Sequence, residues 1–232
     1  KNLMDKVDSK EYILPAIQRE FVWKPDQICR LFDSLLQGYP FGTFLFWKIK
    51  PENRTKYQFY GFVRNYHQRD FPHCERIEKL ENKEFVAVLD GQQRITALNI
   101  GLRGSYSWKV AGKWWSSDDA FPLRKLHLNL LGTENSETNS MYQFEFLTPE
   151  QVIQTETDCW FSVDRILESD IDDLTDELDD SIENKETRKL ARNVLRQLRR
   201  TIFDQDKISY YEEPNQSLER VLNIFIRMNS GG

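Results

Sequence analysis

The chain has 232 residues, of which 39% are hydrophobic and 13% aromatic, enough for a sizeable core and too apolar for global disorder. The net charge of −5 excludes a surface coated with phosphate-binding positive charge, but not a local basic groove. Three widely spaced cysteines and the lack of a long apolar stretch are typical of a cytoplasmic protein without a membrane partner. We expect a single α+β domain over residues 1–232. Because the sequence begins at Lys1 and stops at Gly232, we also expect it to be a piece of a longer chain.

The first third of the chain predicts short elements with clear boundaries. Residues 12–18 predict an extended segment, because Pro15 restricts the residue before it. A helix is predicted over 24–37, with Pro25 in its first turn and Gly38 as its stop signal. Strands are predicted over 43–49 and 57–63.

The later segments predict added strands and loops. Residues 64–83 are predicted to be irregular, and residues 132–140 to form a polar loop. A hairpin is predicted over 106–115, turning near Ala111 and Gly112. The remaining predictions are strands over 124–130 and 207–212 and a helix over 218–228.

Two oppositely charged segments follow each other between residues 165 and 203, where we expect a helical insertion. Residues 168–186 are strongly acidic, and residues 188–200 form a basic helical pattern with one apolar stripe. The pair predicts two solvated helices or a helix pair of complementary charge. Two other readings stay open. The acidic run could hold a cation, although it lacks the spacing of an EF-hand, and the basic run could contact a nucleic-acid backbone.

The most informative feature is a polar turn between residues 85–89, an apolar run that predicts a strand, and a helical pattern beginning at Ile95. A helix N-terminus offers free N–H groups and a partial positive charge, so this turn predicts an anion or phosphate site. We call it the DGQQR turn, and its residues are Asp90, Gly91, Gln92, Gln93 and Arg94.

Each polar residue of the turn has a functional and a structural interpretation. Asp90 could hold Mg²⁺ or orient a water, or it could cap the helix. Gln92 and Gln93 could place an attacking water or read a base edge. Arg94 could stabilise charge on a transferring phosphoryl group, or it could form an ion pair with Asp90.

Two flanking elements could share a pocket with the turn. Gln18 and Arg19 precede the first predicted helix, and arginine holds phosphate oxygens in two-point contacts. Arg227 and Asn229 close the last predicted helix, where an ordinary helix stop is the structural alternative.

Other catalytic signatures are missing from the sequence. There is no Gly-x-x-x-x-Gly-Lys-Ser/Thr loop of a Walker-type NTP site. The three histidines are scattered and have no metal-ligand spacing, so we predict no protein metal cluster and no His-Asn-His nuclease within these residues.

Four motifs in a fixed order resemble a known family. The order closely resembles the N-terminal domain of the GmrSD-type modification-dependent restriction family, which is placed in the ParB/sulfiredoxin-like superfamily. One residue departs from the pattern, since Phe21 stands where tyrosine is common. The motifs are Ile17-Gln18-Arg19 with Trp23, then Gly38-Tyr39-Pro40-Phe41-Gly42, then Asp90 to Thr96, and finally Phe225 to Gly232.

The resemblance implies a fold and a function. It implies a ParB/sulfiredoxin-like core with a mixed sheet, in which the DGQQR turn faces a nucleotide. It also implies NTP hydrolysis that regulates restriction of phage or modified DNA, with Mg²⁺ and a nuclease domain or subunit as partners, and homo-oligomers as a further option. The turn would be the core of the site, flanked by Gln18 and Arg19 and by Arg227 and Asn229. The alternatives are a nucleotide- or DNA-binding switch without hydrolysis and a plain scaffold for the nuclease.

Overall fold

A computed structural model describes residues 1–16, 20–78, 84–132, 140–203 and 208–229. Its helices are α1 (Asn2–Asp8), α2 (Pro25–Leu36), α3 (Gln92–Arg103), α4 (Arg165–Glu168), α5 (Ile171–Ser181), α6 (Lys185–Phe203) and α7 (Leu218–Asn229). Its strands are β1 (Tyr12–Pro15), β2 (Thr43–Ile49), β3 (Phe59–Tyr60), β4 (Asn65–His67), β5 (Phe85–Asp90), β6 (Ser105–Ser107), β7 (Lys125–Asn129), β8 (Phe144–Leu147), β9 (Trp160–Ser162) and β10 (Ser209–Glu213). Short 3₁₀ helices cover Pro51–Lys56, Asp118–Ala120 and Pro149–Gln151.

The main sheet is mixed and has the strand order β10-β2-β5-β1-β3. Strand β5 runs parallel to β1 and antiparallel to β2. The carboxyl ends of β1 and β5 and the amino end of β2 therefore meet at one edge of the sheet. The α+β class with a mixed sheet is confirmed, while the ParB/sulfiredoxin-like assignment stays a prediction.

Side chains alternate across this sheet and fill a core on each side. One face, with Leu14, Phe46 and Val88, belongs to the larger core that includes the inner sides of α2 and α3. The other face, with Trp47 and Ala87, packs against α7 through the fully buried Val221. Both faces of the central strands are thus covered, which explains the continuous apolar run before the DGQQR turn.

Strand β5 contains one extra residue just before the turn. Leu45 of β2 lies opposite Asp90, but the next residue of β2, Phe46, lies opposite Val88. Leu89 is therefore the additional residue of a β-bulge, and it is fully buried in the core beneath α7. Bulges bend a strand and change the direction of the residues that follow.

Helix α2 begins and ends where the sequence predicts. Pro25 occupies its first position, and Gln27 accepts a hydrogen bond from the backbone N–H of Lys24 at 3.0 Å. At the other end Gly38 has a φ of 83°, and the N–H of Tyr39 donates to the carbonyl of Ser34 at 2.9 Å. This is a Schellman ending, which requires a left-handed residue.

The predicted strands over 43–49, 85–89 and 124–130 are confirmed, and so are the elements at 209–213 and 218–229. Three other predictions differ from the structure. The predicted strand over 57–63 is reduced to Phe59–Tyr60, and the predicted irregular region contains β4. The predicted hairpin over 106–115 does not form, because Ser105–Ser107 pairs in parallel with β4 instead, although residues 111–112 do turn. Most of the predicted loop at 132–140 lies outside the described residues.

The helical insertion is confirmed as α4, α5 and α6, and its two long helices form a pair of complementary charge. Arg192 and Arg188 of α6 both reach Asp179 of α5. Arg165 of α4 contacts Glu177 of α5 at 2.7 Å. Among the residues described by the structure, no helix combines the length and apolar character needed to cross a membrane.

A second, antiparallel sheet with the order β8-β7-β9 carries a buried histidine. His127 lies on β7, and its Nδ1 is 2.9 Å from the carbonyl oxygen of Lys125. Burial lowers the pKa of His127 below the ordinary value of 6.5, because the charged imidazolium loses its hydration.

We expect His127 to make the fold less stable in mild acid. Below about pH 6.5 the unfolded chain binds a proton that the native protein resists, so the free energy of unfolding falls as the pH decreases toward the lowered pKa. Urea denaturation at pH 7.5, 6.5 and 5.5 measures this loss. His127→Gln should flatten the pH dependence in this window, and an equal slope in both proteins would contradict the assignment.

Candidate functional site

The DGQQR turn lies at the edge of the main sheet where β5 ends and α3 begins. Gly91 is the N-cap residue of α3, directly before the helix, and has a φ of 89°. A Cβ atom at this position would lie 2.1 Å from the Phe44 ring, so the turn needs glycine for both its backbone and its packing. Asp90 does not cap the helix, which corrects that interpretation, because the capping position belongs to Gly91.

The first turn of α3 presents backbone donors. Ile95 donates its N–H to the carbonyl of Gly91 at 3.0 Å, and this closes the first turn of the helix. Within the described residues, the N–H groups of Gln92, Gln93 and Arg94 have no protein acceptor. These donors and the positive end of the helix dipole suit an anion.

Gln92 carries an unused acceptor. The residue is only 8% exposed, and its Oε1 is buried without a hydrogen-bond partner. A buried carbonyl oxygen left in this state is costly, so its presence calls for a specific explanation. Gln92 is the first residue of α3, so this acceptor belongs to the same helical turn as the free backbone donors.

Both ends of the Gln93 side-chain amide form hydrogen bonds to the backbone of the protein. Its Nε2 donates to the carbonyl of Glu20 at 2.8 Å, and its Oε1 accepts from the N–H of Val22 at 3.1 Å. The side chain therefore fastens the segment that directly follows Gln18 and Arg19. Those two residues lie outside the described ranges, but the structure does bring their neighbours to the turn.

Arg94 is also held by the protein itself. Its guanidinium donates to the carbonyls of Phe41 at 2.6 Å and Thr43 at 3.2 Å, and to Asp90 Oδ2 at 3.2 Å. It also lies 4.5 Å from the centre of the Phe44 ring. Burial lowers the pKa of Arg94, and the neighbouring Asp90 opposes this shift. The predicted ion pair between Arg94 and Asp90 is thus present.

The role of the loop before β2 was missed by sequence reasoning. Gly42 has a φ of 79°, and a Cβ atom there would lie 2.4 Å from Arg94 Nη1. The loop's contribution is made by backbone carbonyls, which no sequence pattern displays. The glycine was visible in the motif Gly38 to Gly42, and it is the signal that could have indicated a close approach.

The C-terminal flanking element, Arg227 and Asn229, shows no contact with the turn among the residues that the structure describes. Arg227 is exposed near the end of α7, and the described residues show no hydrogen bond or ion pair between it and the turn. Asn229 is the last residue of α7, and its side chain falls outside what the structure describes. The turn thus contacts Glu20 and Val22, which follow residues 17–19 of the first motif, and Phe41 of the second motif, while the role of the last motif stays a prediction.

In the described ranges, no group of three or more His, Cys, Asp or Glu residues is placed to hold a metal ion. Metal binding by protein ligands alone therefore has no support there. Asp90 is the carboxylate of the turn, and its side chain is about one-third exposed. A single carboxylate fits Mg²⁺ held together with phosphate oxygens and waters, which is how this ion is usually bound beside nucleotides.

Comparison with known proteins assigns the chain to a family. A curated relative, an uncharacterized protein of Methanocaldococcus jannaschii, is 39% identical over 106 residues, which cover 42% of this chain and 16% of the relative. The chain therefore spans only a small part of that relative's length. The family model described as the GmrSD restriction endonuclease N-terminal domain matches residues 1–232, the whole chain. With this match over its full length, the chain belongs to the family of GmrSD restriction endonuclease N-terminal domains.

Proposed function

We propose that this domain binds a nucleoside triphosphate at the DGQQR turn and hydrolyses it to regulate DNA restriction by a nuclease domain or subunit. Two observations in the same helical turn carry the proposal: among the described residues, the first N–H groups of α3 have no protein acceptor, and the buried Oε1 of Gln92 has no hydrogen-bond partner. Such a combination provides donors for phosphate oxygens and an acceptor for a bound water or a ligand donor.

The chemistry divides between residues that touch the ligand and residues that hold the site. The N-terminus of α3 would bind phosphates, Asp90 would hold Mg²⁺, and Gln92 would orient the attacking water. Arg94 holds Asp90 and the loop before β2, and Gln93 holds the segment after residue 19. Arg19 and Arg227 would add positive charge and Gln18 and Asn229 polar contacts to the nucleotide, as the family resemblance implies.

The alternative is a switch that binds a nucleotide without hydrolysing it. The engagement of Gln93 favours this second function, because both ends of its amide are already bonded within the protein. Of the two glutamines, Gln92 is then the one left to orient water. Binding without turnover would select the switch, and titration of ATP, GTP, CTP and UTP with and without Mg²⁺ would identify the base.

Gln92→Leu is the variant that tests hydrolysis most directly. Because Oε1 of Gln92 makes no hydrogen bond, the substitution should leave the free energy of unfolding within about 1 kcal/mol of the wild type. Phosphate release, measured with malachite green in the presence of DNA and the partner nuclease, should fall by roughly 100-fold. A folded variant with wild-type release would exclude Gln92 from the reaction.

Asp90→Asn separates the metal role from the fold. The asparagine oxygen can still accept the hydrogen bond from Arg94, so only the charge is lost. If Asp90 holds Mg²⁺, this variant needs more Mg²⁺ for half-maximal phosphate release. An unchanged Mg²⁺ dependence would place the ion elsewhere.

A further inference from the structure

The cations of α6 fall into two sets with different surroundings. In the first set, Arg188 and Arg192 face Asp179 of α5, and Arg199 donates to the carbonyls of Ile166 and Ser169. These contacts show that α5 runs antiparallel to α6 and that the charges on this side are used within the protein.

The second set lies on a separate line along the same helix, which we call the basic stripe. At about 100° per residue, its members lie within about 80° of the helix circumference. Its members are four cations and one asparagine, and all five are exposed. Among the described residues, none of these four cations forms an ion pair. Within α6 the one acidic residue is Glu186, which lies in the first turn at the margin of the stripe. The stripe consists of Lys185, Lys189, Asn193, Arg196 and Arg200.

The arrangement is unfavourable without an anion. Arg196 and Arg200 are four residues apart, so like charges face each other across one turn, and Lys189 extends the same line. Asp179 of α5 pairs with Arg188 and Arg192, which lie on the neighbouring part of the α6 circumference, and among the described residues no acidic residue of α5 forms an ion pair with the stripe. The stripe therefore keeps a local positive field in a chain whose net charge is −5.

We propose that the basic stripe binds the phosphate backbone of duplex DNA. From Lys189 to Arg200 the helix extends about 16 Å, at 1.5 Å per residue. A duplex carries one charge per about 1.7 Å of its axis, so about ten phosphates lie within that length. Lysine and arginine neutralise phosphates, and Asn193 adds a neutral donor. The proposal rests on the family's role in DNA restriction and is independent of nucleotide hydrolysis.

One contact connects the stripe to the region of the DGQQR turn. Gln197, next to Arg196, donates to the carbonyl of Leu36 at 2.8 Å. Leu36 ends α2, and five residues later the carbonyl of Phe41 accepts from Arg94. DNA held on the stripe would thus lie one short loop away from the nucleotide site.

The competing occupant is the acidic α5 of a second copy of the chain. Its exposed carboxylates would complement the stripe and drive self-association. The length of the stripe, and the absence of ion pairs to it within the described part of the chain, suit either occupant, but the family's role favours DNA. A variant that lacks cations of the stripe distinguishes the two occupants. If the occupant is DNA, the variant has a lower DNA affinity, and if the occupant is a second copy, the variant has a lower molecular mass in solution.

The test is fluorescence anisotropy of a labelled duplex of about 20 base pairs with the purified chain and no nucleotide. With four phosphate contacts, the affinity should fall roughly 100-fold between 50 and 200 mM salt. In the Arg196→Ala/Arg200→Ala variant the slope of log K against log salt should decrease by about 2, and binding at 50 mM salt should weaken at least about tenfold.

A matched control removes two exposed cations elsewhere. Lys50→Ala/Arg76→Ala causes the same change in net charge and should keep the wild-type affinity and salt slope. Equal weakening by both double variants would reduce the effect to net charge and overturn the proposal. Unchanged DNA affinity in the stripe variant would also overturn the proposal. If light scattering then showed that the wild type is a dimer and the variant a monomer, the stripe would be a contact between two copies of the chain. Because no nucleotide is present, these outcomes do not depend on phosphate release.

Discussion

Gly91→Ala is expected to lower the free energy of unfolding by about 3–5 kcal/mol, because two costs combine at one position. The residue has a φ of 89°, where an L side chain is strained by about 1–2 kcal/mol. Its Cβ would also lie 2.1 Å from the ring of Phe44, which is fully buried between the sheet and α3. Guanidinium denaturation followed by circular dichroism measures the loss.

Gly112→Ala is the matched control for the backbone part of this effect. Gly112 has a φ of 80°, close to that of Gly91, but nothing lies within 4 Å of the position that the alanine methyl group would take. It should therefore cost only about 1–2 kcal/mol. The excess at Gly91 is steric, so Phe44→Leu should rescue part of it, with a coupling energy of about 1–2 kcal/mol in a double-mutant cycle. Equal losses at both glycines would show that Phe44 moves aside freely.

Arg94→Ala is expected to lower the free energy of unfolding by about 2–4 kcal/mol, since it leaves the carbonyls of Phe41 and Thr43 and the Asp90 carboxylate without their donor. Arg94→Lys should recover little of this loss. An ammonium group is a point charge, and it cannot reproduce the planar fork that serves two carbonyls and stacks on Phe44. Thermal and urea denaturation of both variants give the comparison.

The control for this pair is Arg165→Lys, at a partly exposed arginine that contacts Glu177. There the loss should stay within about 0.5 kcal/mol, as for most surface ion pairs. If Arg94→Lys were equally mild, charge alone would explain the role of Arg94. In that case the geometry of the loop before β2 would not depend on the guanidinium. Phosphate release should fall in both Arg94 variants, but this readout mixes chemistry with folding and is weaker than that of Gln92→Leu.

Local patterns predicted the parts of the fold that are fixed locally. The helix over residues 25–36 follows from its apolar face, Pro25 and Gly38, and the strands over 43–49 and 85–90 follow from apolar runs. The pairing of β4 with β6 could not be predicted in this way. It joins two three-residue segments 40 positions apart, and such short strands are chosen by their tertiary neighbours rather than by their own sequence.

The DGQQR turn does lie at a helix start, as the sequence predicts, but the contacts that its side chains make could not be predicted. From the sequence, both glutamines are predicted to act on a ligand, and for Arg94 the structural alternative is limited to an ion pair with Asp90. In the structure Gln93 and Arg94 satisfy backbone groups of residues 20–22 and 41–43, and these carbonyls and N–H groups have no signature in the sequence. Gln92 differs from Gln93 only in the direction it faces, and that direction depends on the fold.

The bulge at Leu89 sets a limit on changes in chain length. Leu89 and Asp90 share the place opposite Leu45, so one residue fills the core beneath α7 while the next begins the turn. Deleting one of these two residues would restore regular pairing between β2 and β5. The remaining residue would then have to fill the apolar core, as Leu89 does, and also supply the carboxylate of Asp90. Length changes are usually best tolerated where structure is irregular. In this strand the irregular position is the one that can least be removed, so natural variation in length should be sought in the loops on either side of it.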